Sequence, residues 1–159
     1  MKRDFKKYIN PYFVETGSYT GTGIQAALDA GFDTIISIEM ADKYHRYCKE
    51  RFKDNKNVLL IWGDSVTWLP NILWKVRGKC TFWLDAHYSG GATARGKVPI
   101  LRELEIITAR KGDTILIDDM RLFRKGWDGI TDKDIEEALH GYNISYEYGV
   151  AENDILVAK

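Results

Sequence analysis

Ten residues from Val14 to Gly23 hold an acid and three glycines: Glu15, Gly17, Ser18, Tyr19, Gly21 and Gly23 all fall directly ahead of a helical pattern. Glycine in such a loop allows positive φ and close approach of the backbone to a ligand, and a helix start offers free N–H groups to a carboxylate or phosphate. Single acids follow at the ends of later apolar runs: Glu39 before Met40, Asp64 before Ser65, and Asp85 after Leu84. One carboxylate can accept both neighbouring hydroxyls of a ribose, and an adenine amino group is a donor that wants an acceptor such as Asp64. Each feature has a plainer reading. The glycines could make a tight turn, Glu39 could be an acid favoured at a helix start, and Met40 could be core.

A second constellation lies further along. Asp85 is followed by Ala86, His87 and Tyr88, and Asp118-Asp119 by Arg121, Arg124 and Lys125. Three converging carboxylates, Asp85, Asp118 and Asp119, repel one another unless protonated, paired with a base or holding a cation. Oxygen-only ligands favour Mg²⁺ or Ca²⁺ over zinc. In the competing reading Asp118 and Asp119 pair with Arg121, Arg124 or a helix end. His87 is the one of three histidines placed after a strand, where a pKa near 6.5 suits a general base, and Asp85 beside it is the other catalytic candidate. Arg95, Lys97, Arg121, Arg124 and Lys125 rim the same loops, so an anionic acceptor held by Arg121 and Arg124, with Tyr88 nearby, competes with simple solvated charge.

The elements that must position these residues alternate in type. β-rich runs occur at residues 12–15, 34–39, 57–62, 80–84, 113–117, 144–148 and 155–158. Helical spacing lies between them: Ile24, Ala27 and Leu28; Tyr44, Tyr47, Cys48 and Phe52; Ile100, Leu101, Leu104 and Ile107. Thr131-x-x-Asp134 reads as a capping box, and Pro11, Pro70 and Pro99 fall at expected element starts. Five β-α units in succession predict an α/β fold: a doubly wound, seven-stranded, mostly parallel sheet with helices on both faces. The last two runs have no helix between them and must pair antiparallel.

Gly21-x-Gly23-x-x-Ala26 with Glu39 imitates a dinucleotide fingerprint, but six residues separate Val14 from Gly21, where that fingerprint has its strand run straight into the first glycine. The whole string, Glu-x-Gly-x-x-x-Gly-x-Gly, resembles the first motif of the class I S-adenosylmethionine-dependent methyltransferases. The resemblance runs from about Tyr12 to Lys159. It implies that Glu15, Gly17, Ser18, Tyr19, Gly21 and Gly23 line the cofactor, that Glu39 binds its ribose and Met40 its adenine, that Asp64 and Ser65 address the adenine amino group, and that Asp85 lies near the methionine part. An antiparallel final strand belongs to that family's sheet as well. An acid after strand four with two acids after strand five is similar to the cation-dependent O-methyltransferases, which implies Mg²⁺ on Asp85, Asp118 and Asp119. The chain departs from that pattern in having Asp119 where an amide is usual, and in lacking a lysine shortly after Asp85.

The expected activity is methyl transfer from S-adenosylmethionine to a small acceptor at oxygen. Its rivals are a non-catalytic S-adenosylmethionine-binding module and a nicotinamide-dependent reductase. At 159 residues the chain reads as one methyltransferase-like domain, 1–159. Its 23 basic and 23 acidic residues cancel, so no overall field draws in nucleic acid or a membrane surface. No apolar run approaches the roughly 20 residues of a membrane span and no secretory signal precedes the first strand, so the expected setting is cytoplasmic, with Cys48 and Cys80 as buried reduced thiols. With no cap domain inserted, a homo-oligomer would supply the rest of a substrate pocket.

Overall fold

A computed structural model describes residues 4–86 and 97–159. A 3₁₀ turn, Lys6–Tyr8, leads into β1 (Tyr12–Thr16), α1 (Thr22–Ala30), β2 (Thr34–Glu39), α2 (Asp42–Arg51), β3 (Val58–Trp62), α3 (Ser65–Lys75) and β4 (Cys80–Leu84). There follow α4 (Ile100–Thr108), β5 (Thr114–Ile117), α5 (Met120–Phe123), α6 (Asp132–Ala138), β6 (Ile144–Glu147) and β7 (Ile155–Ala158). The seven strands form one sheet in the order β3-β2-β1-β4-β5-β7-β6, parallel except for β7, which runs antiparallel to both its neighbours. This is the sheet expected from the alternation of elements.

The two-residue period of the strands sorts the core onto both faces. Val14, Ile36, Phe82 and Ile117 point to one side, where Leu69 of α3, Leu104 and Ile107 of α4 and Ile135 of α6 cover them. Phe13, Ile35, Trp83 and Leu116 point to the other, against Ile24 and Ala27 of α1 and Cys48 of α2. Cys48 and Cys80 are buried and unbridged. Burial first of all pushes their thiols up, to about 12 and about 11, which leaves them inert at neutral pH.

At the amino edge of the sheet, Asp113 Oδ1 accepts the Cys80 N–H at 2.7 Å and an Arg110 Nη2 hydrogen at 2.8 Å, tying β4 to β5. The Thr131–Asp134 capping box forms as the sequence predicts. Pro70 does not start an element. It lies inside α3, on an exposed position, where it removes one intrahelical N–H donor. Among the described residues no helix is long and apolar enough to cross a membrane.

Candidate functional site at the carboxyl edge of the sheet

Sheet order reverses between β1 and β4, so a crevice opens outside their carboxyl ends, the place where open α/β sheets take ligands. Gly17 stands at its mouth with φ +83°, and a Cβ there would sit 2.6 Å from the backbone oxygen of Asp85. Only glycine lets the two strand ends meet so closely. Gly23, in the first turn of α1, leaves room for the Glu15 carboxylate, which a Cβ would strike. Gly21 forms the N-cap of α1.

Glu15 is 1% exposed and turned inward. Ser37 donates its hydroxyl to Glu15 Oε2, which leaves Ser18 to donate to Ser37 across 2.6 Å. This buried chain sets the floor of the glycine loop from below. The loop's upper side is held by Glu39, which ends β2, is 7% exposed, and accepts the N–H groups of Tyr19 at 2.8 Å and of Ala41 at 2.7 Å. Each carboxylate oxygen has two lone pairs, so these bonds still leave Glu39 able to accept ribose hydroxyls. Tyr19 has φ +46° and an exposed ring tilted against Tyr44, centroids 4.5 Å apart. Met40 follows Glu39, and its carbonyl accepts the Trp62 indole N–H at 3.1 Å. Asp64 caps α3 by accepting the Val66 N–H at 2.9 Å, and Ser65 is buried at the first position of that helix. Glu39 ends β2, Asp64 caps α3 after β3, and Asp85 follows β4, all at the carboxyl edge of the sheet.

The reacting end differs from expectation. Among the described residues, three carboxylates come within 4.8 Å of one another, Asp118, Asp119 and Asp154, and Asp85 is not in that group. Asp154 arrives from the turn before β7, is fully buried, and accepts the N–H of Arg121 at 3.1 Å and that of Val150 at 3.0 Å. Arg121 Nη1 bonds both Asp119 and, at 2.6 Å, Asp154. Burial works against the charge of Arg121, yet the two carboxylates outweigh it and raise its pKa. A guanidinium thus bridges two of these three carboxylates. Asp119 pairs with Arg121, and Asp118 Oδ1 accepts the Asp119 N–H at 2.9 Å.

Arg121 and Arg124, expected to meet the substrate, both make contacts within the fold. Arg124 donates to the Asn153 carbonyl and lies over the Tyr146 ring, 5.5 Å from its centroid. The two arginines tie α5 to the turn before β7. His87, Tyr88 and Arg95 lie outside the described residues.

A small pocket, with room for about one water, lies beside the crevice. Its apolar walls are Leu84, Val98, Ile100, Ile117, Phe123 and Trp127, and its acids are Asp85, Asp118 and Glu103. Glu103 was not anticipated as a site residue. It is 1% exposed on α4, and burial, only partly offset by the hydroxyls of Ser65 and Thr16, raises its pKa to about 7. The spacing contains a sign of it: Ile100, Glu103, Leu104 and Ile107 stand at i, i+3, i+4 and i+7, which puts an acid in an apolar stripe.

No family model and no curated protein sequence matches the chain. Among solved structures, it is similar to a methyltransferase of Podospora anserina bound to S-adenosylhomocysteine, with a TM-score of 0.69 at 15% identity over 94% of this chain and 71% of that one. It is similar to an O-methyltransferase of Bacillus cereus in complex with S-adenosylhomocysteine, TM-score 0.69 at 15% identity over 97% and 76%. It is also similar to the N-methyltransferase NodS of Bradyrhizobium japonicum, TM-score 0.63 at 11% identity over 98% and 87%. At these identities the likeness is one of fold.

Proposed function

From the class I methyltransferase fold of this chain, we propose that it transfers a methyl group from S-adenosylmethionine to a small acceptor at a hydroxyl oxygen. The observation that carries the reading is Glu39: a buried carboxylate at the end of β2, oriented by two backbone N–H groups over the glycine loop, with lone pairs left for a ribose. S-adenosylmethionine, when bound, supplies a methyl already activated on a sulfonium.

What the chain must then do is bind, orient and exclude water. In this reading Glu39 holds the ribose, Met40 lies against the adenine, Asp64 and Ser65 meet its amino group, and the loop from Gly17 to Gly21 with Asp85 receives the methionine end. The acceptor enters beside Asp85. Transfer to oxygen is supported by the O-methyltransferase among the structures the fold resembles. An anionic acceptor and a Mg²⁺ requirement are not part of the proposal, because Arg121 already serves Asp119 and Asp154.

Calorimetry with S-adenosylhomocysteine tests the cofactor. Binding should be readily measurable, NAD should not compete, and Glu39→Ala should weaken the interaction by about 1.5 to 3 kcal/mol, roughly ten- to a hundredfold in Kd. Unchanged affinity in a folded Glu39→Ala protein would sink the assignment. Release of S-adenosylhomocysteine from S-adenosylmethionine on adding hydroxylated acceptors separates an enzyme from a binding module.

A further inference from the structure

The two edges of the sheet are built differently. At β6 the strand carries Ser145 and Glu147, and the amino-terminal turn is fastened to it: Lys7 Nζ and the Tyr8 hydroxyl donate to Glu147 Oε1 at 2.9 and 2.6 Å. Charge and cover of this kind keep an edge from pairing with another chain. At β3 the strand Val58-Leu59-Leu60-Ile61-Trp62 holds no charge, and among the described residues no strand pairs with its outer side. Leu59 and Trp62 are 53% and 58% exposed, and the Trp68 ring of α3 lies against Gly63 just past the strand, extending the apolar strip. The Ile35 N–H donates to the Asn57 carbonyl and the Gly63 N–H to the Glu39 carbonyl, so the odd-numbered residues of this stretch face β2. Leu60 and Trp62 therefore turn their N–H and C=O groups outward.

We propose that this edge binds a second copy of the chain: two β3 strands pair antiparallel about a two-fold axis at Leu60 and join the two sheets into one. The sequence is self-complementary in that arrangement. Leu60 faces Leu60 and Val58 faces Trp62 on the α2 side, while Leu59 faces Ile61 on the α3 side, so every cross-strand pair is apolar. Leu60 exchanges both backbone bonds with its counterpart, and the Trp62 N–H meets the Val58 carbonyl; the Val58 N–H is already given to Asn55 in the turn before the strand. Beyond the strand ends, the same register sets Lys56 of one copy against Asp64 of the other, base against acid at both ends. The cap bond of Asp64 runs through Oδ1, so Oδ2 can take that lysine. A register shifted by two residues sets Lys56 against Trp62 or Val66 and loses the match. Five paired residues a side, with Trp68 beside them, make an interface at or below the small end of the usual range of about 1,200 to 2,000 Å², which sets the expected Kd in the micromolar range. The edge lies two strands from the crevice between β1 and β4, so this partner adds a second site and does not supply walls to the first, as the oligomer expected from the sequence would. The inference stands apart from the methyl-transfer reading.

Sedimentation velocity of the full chain from about 1 to about 200 µM is the first test. The wild type should pass from monomer to dimer and stop there, because an isologous pairing uses up the β3 edge of each copy. Leu59→Lys puts a charge into the pair with Ile61 and should weaken dimerisation at least about tenfold. Lys56→Glu sets acid against Asp64 and should weaken it at least about threefold. Both positions are exposed, and if one variant does not fold the other carries the test. Disulfide trapping reads the register. Leu60→Cys should cross-link to itself under mild oxidation, since residues facing each other in a hydrogen-bonded pair have Cα atoms about 5.5 Å apart. Trp62→Cys, about 13 Å from its counterpart at about 3.3 Å per residue, should not. Cys48 and Cys80 are buried and stay out of the reaction. A wild type that remains monomeric at the highest concentration overturns the proposal and leaves the edge to a strand from a different protein. A dimer indifferent to either charge variant, species larger than a dimer, or a cross-link at Trp62→Cys in place of Leu60→Cys would each overturn it as well.

Discussion

Arg121 decides what the acids at the end of β5 can do. With its guanidinium bridging Asp119 and the fully buried Asp154, two of the cluster's three carboxylates are already engaged from within. Millimolar Mg²⁺ should therefore leave the melting temperature unchanged within about 1 °C, since only a ligand that binds the folded state stabilises it. Arg121→Ala should destabilise by about 3 to 5 kcal/mol, because it strands a buried carboxylate, and the variant should gain a Mg²⁺-dependent rise in melting temperature. A Mg²⁺ response in the wild type would show that the arginine yields its place. Glu103 acts in the opposite sense. Its carboxyl has a pKa of about 7 when folded against 4.5 as a model compound, so the unfolded chain releases its proton first as pH rises. Stability from this residue is therefore lost between about pH 4.5 and 7, by up to about 3 kcal/mol, and stays lost above. Denaturant unfolding of wild type and Glu103→Leu across pH 4 to 8 isolates it: the two should converge at low pH, and the variant should be the more stable at pH 8.

The elements make the clamp at the amino edge of the sheet as important to the fold as the glycine loop is to the site. Asp113 serves the Cys80 N–H and Arg110 together, with its own side chain 1% exposed. Asp113→Ala should cost about 3 kcal/mol in urea melts, with S-adenosylhomocysteine affinity unchanged because the site lies at the other edge. An equal loss of affinity would mean that the two edges are coupled. Strands such as β4 and β5 were legible because buried parallel strands read as unbroken apolar runs, and the α6 cap because its hydrogen bonds are local. Pro70 was misread, since proline inside a helix is tolerated where the tertiary packing of Leu69 and Ile72 holds the helix regardless. The order of Glu15, Glu39, Asp64 and Asp85 along the edge was legible for the same local reason: each ends a strand or opens a helix. Arg121 with Asp154 was not, because 33 residues separate them and only the antiparallel return of β7 brings them together. Glu103 differs from Glu105 on the same helix only by the face it occupies, which sequence shows as a break in an apolar stripe and nothing more.

At the scale of the molecule, β7 is the keystone of one half of the sheet. Leu156, Val157 and Ala158 are at most 2% exposed, and among the described residues β6 has no strand partner other than β7. Ending the chain after Asp154 should abolish cooperative unfolding, whereas Glu152→Ala in the exposed part of the preceding turn should leave it intact; a cooperative transition in the truncated chain would show that five parallel strands suffice. The same placement has a consequence for how the protein is made. A ribosome delivers β6 before the strand that will separate it from β5, so the β5 edge stays open, and the buried acid of the turn before β7 stays apart from Arg121, until residue 158 has cleared the exit tunnel. Nascent chains stalled short of that point present an unpaired strand edge to any neighbour on the same message, and the interval between the emergence of β6 and of β7 is when a holding chaperone has most to protect.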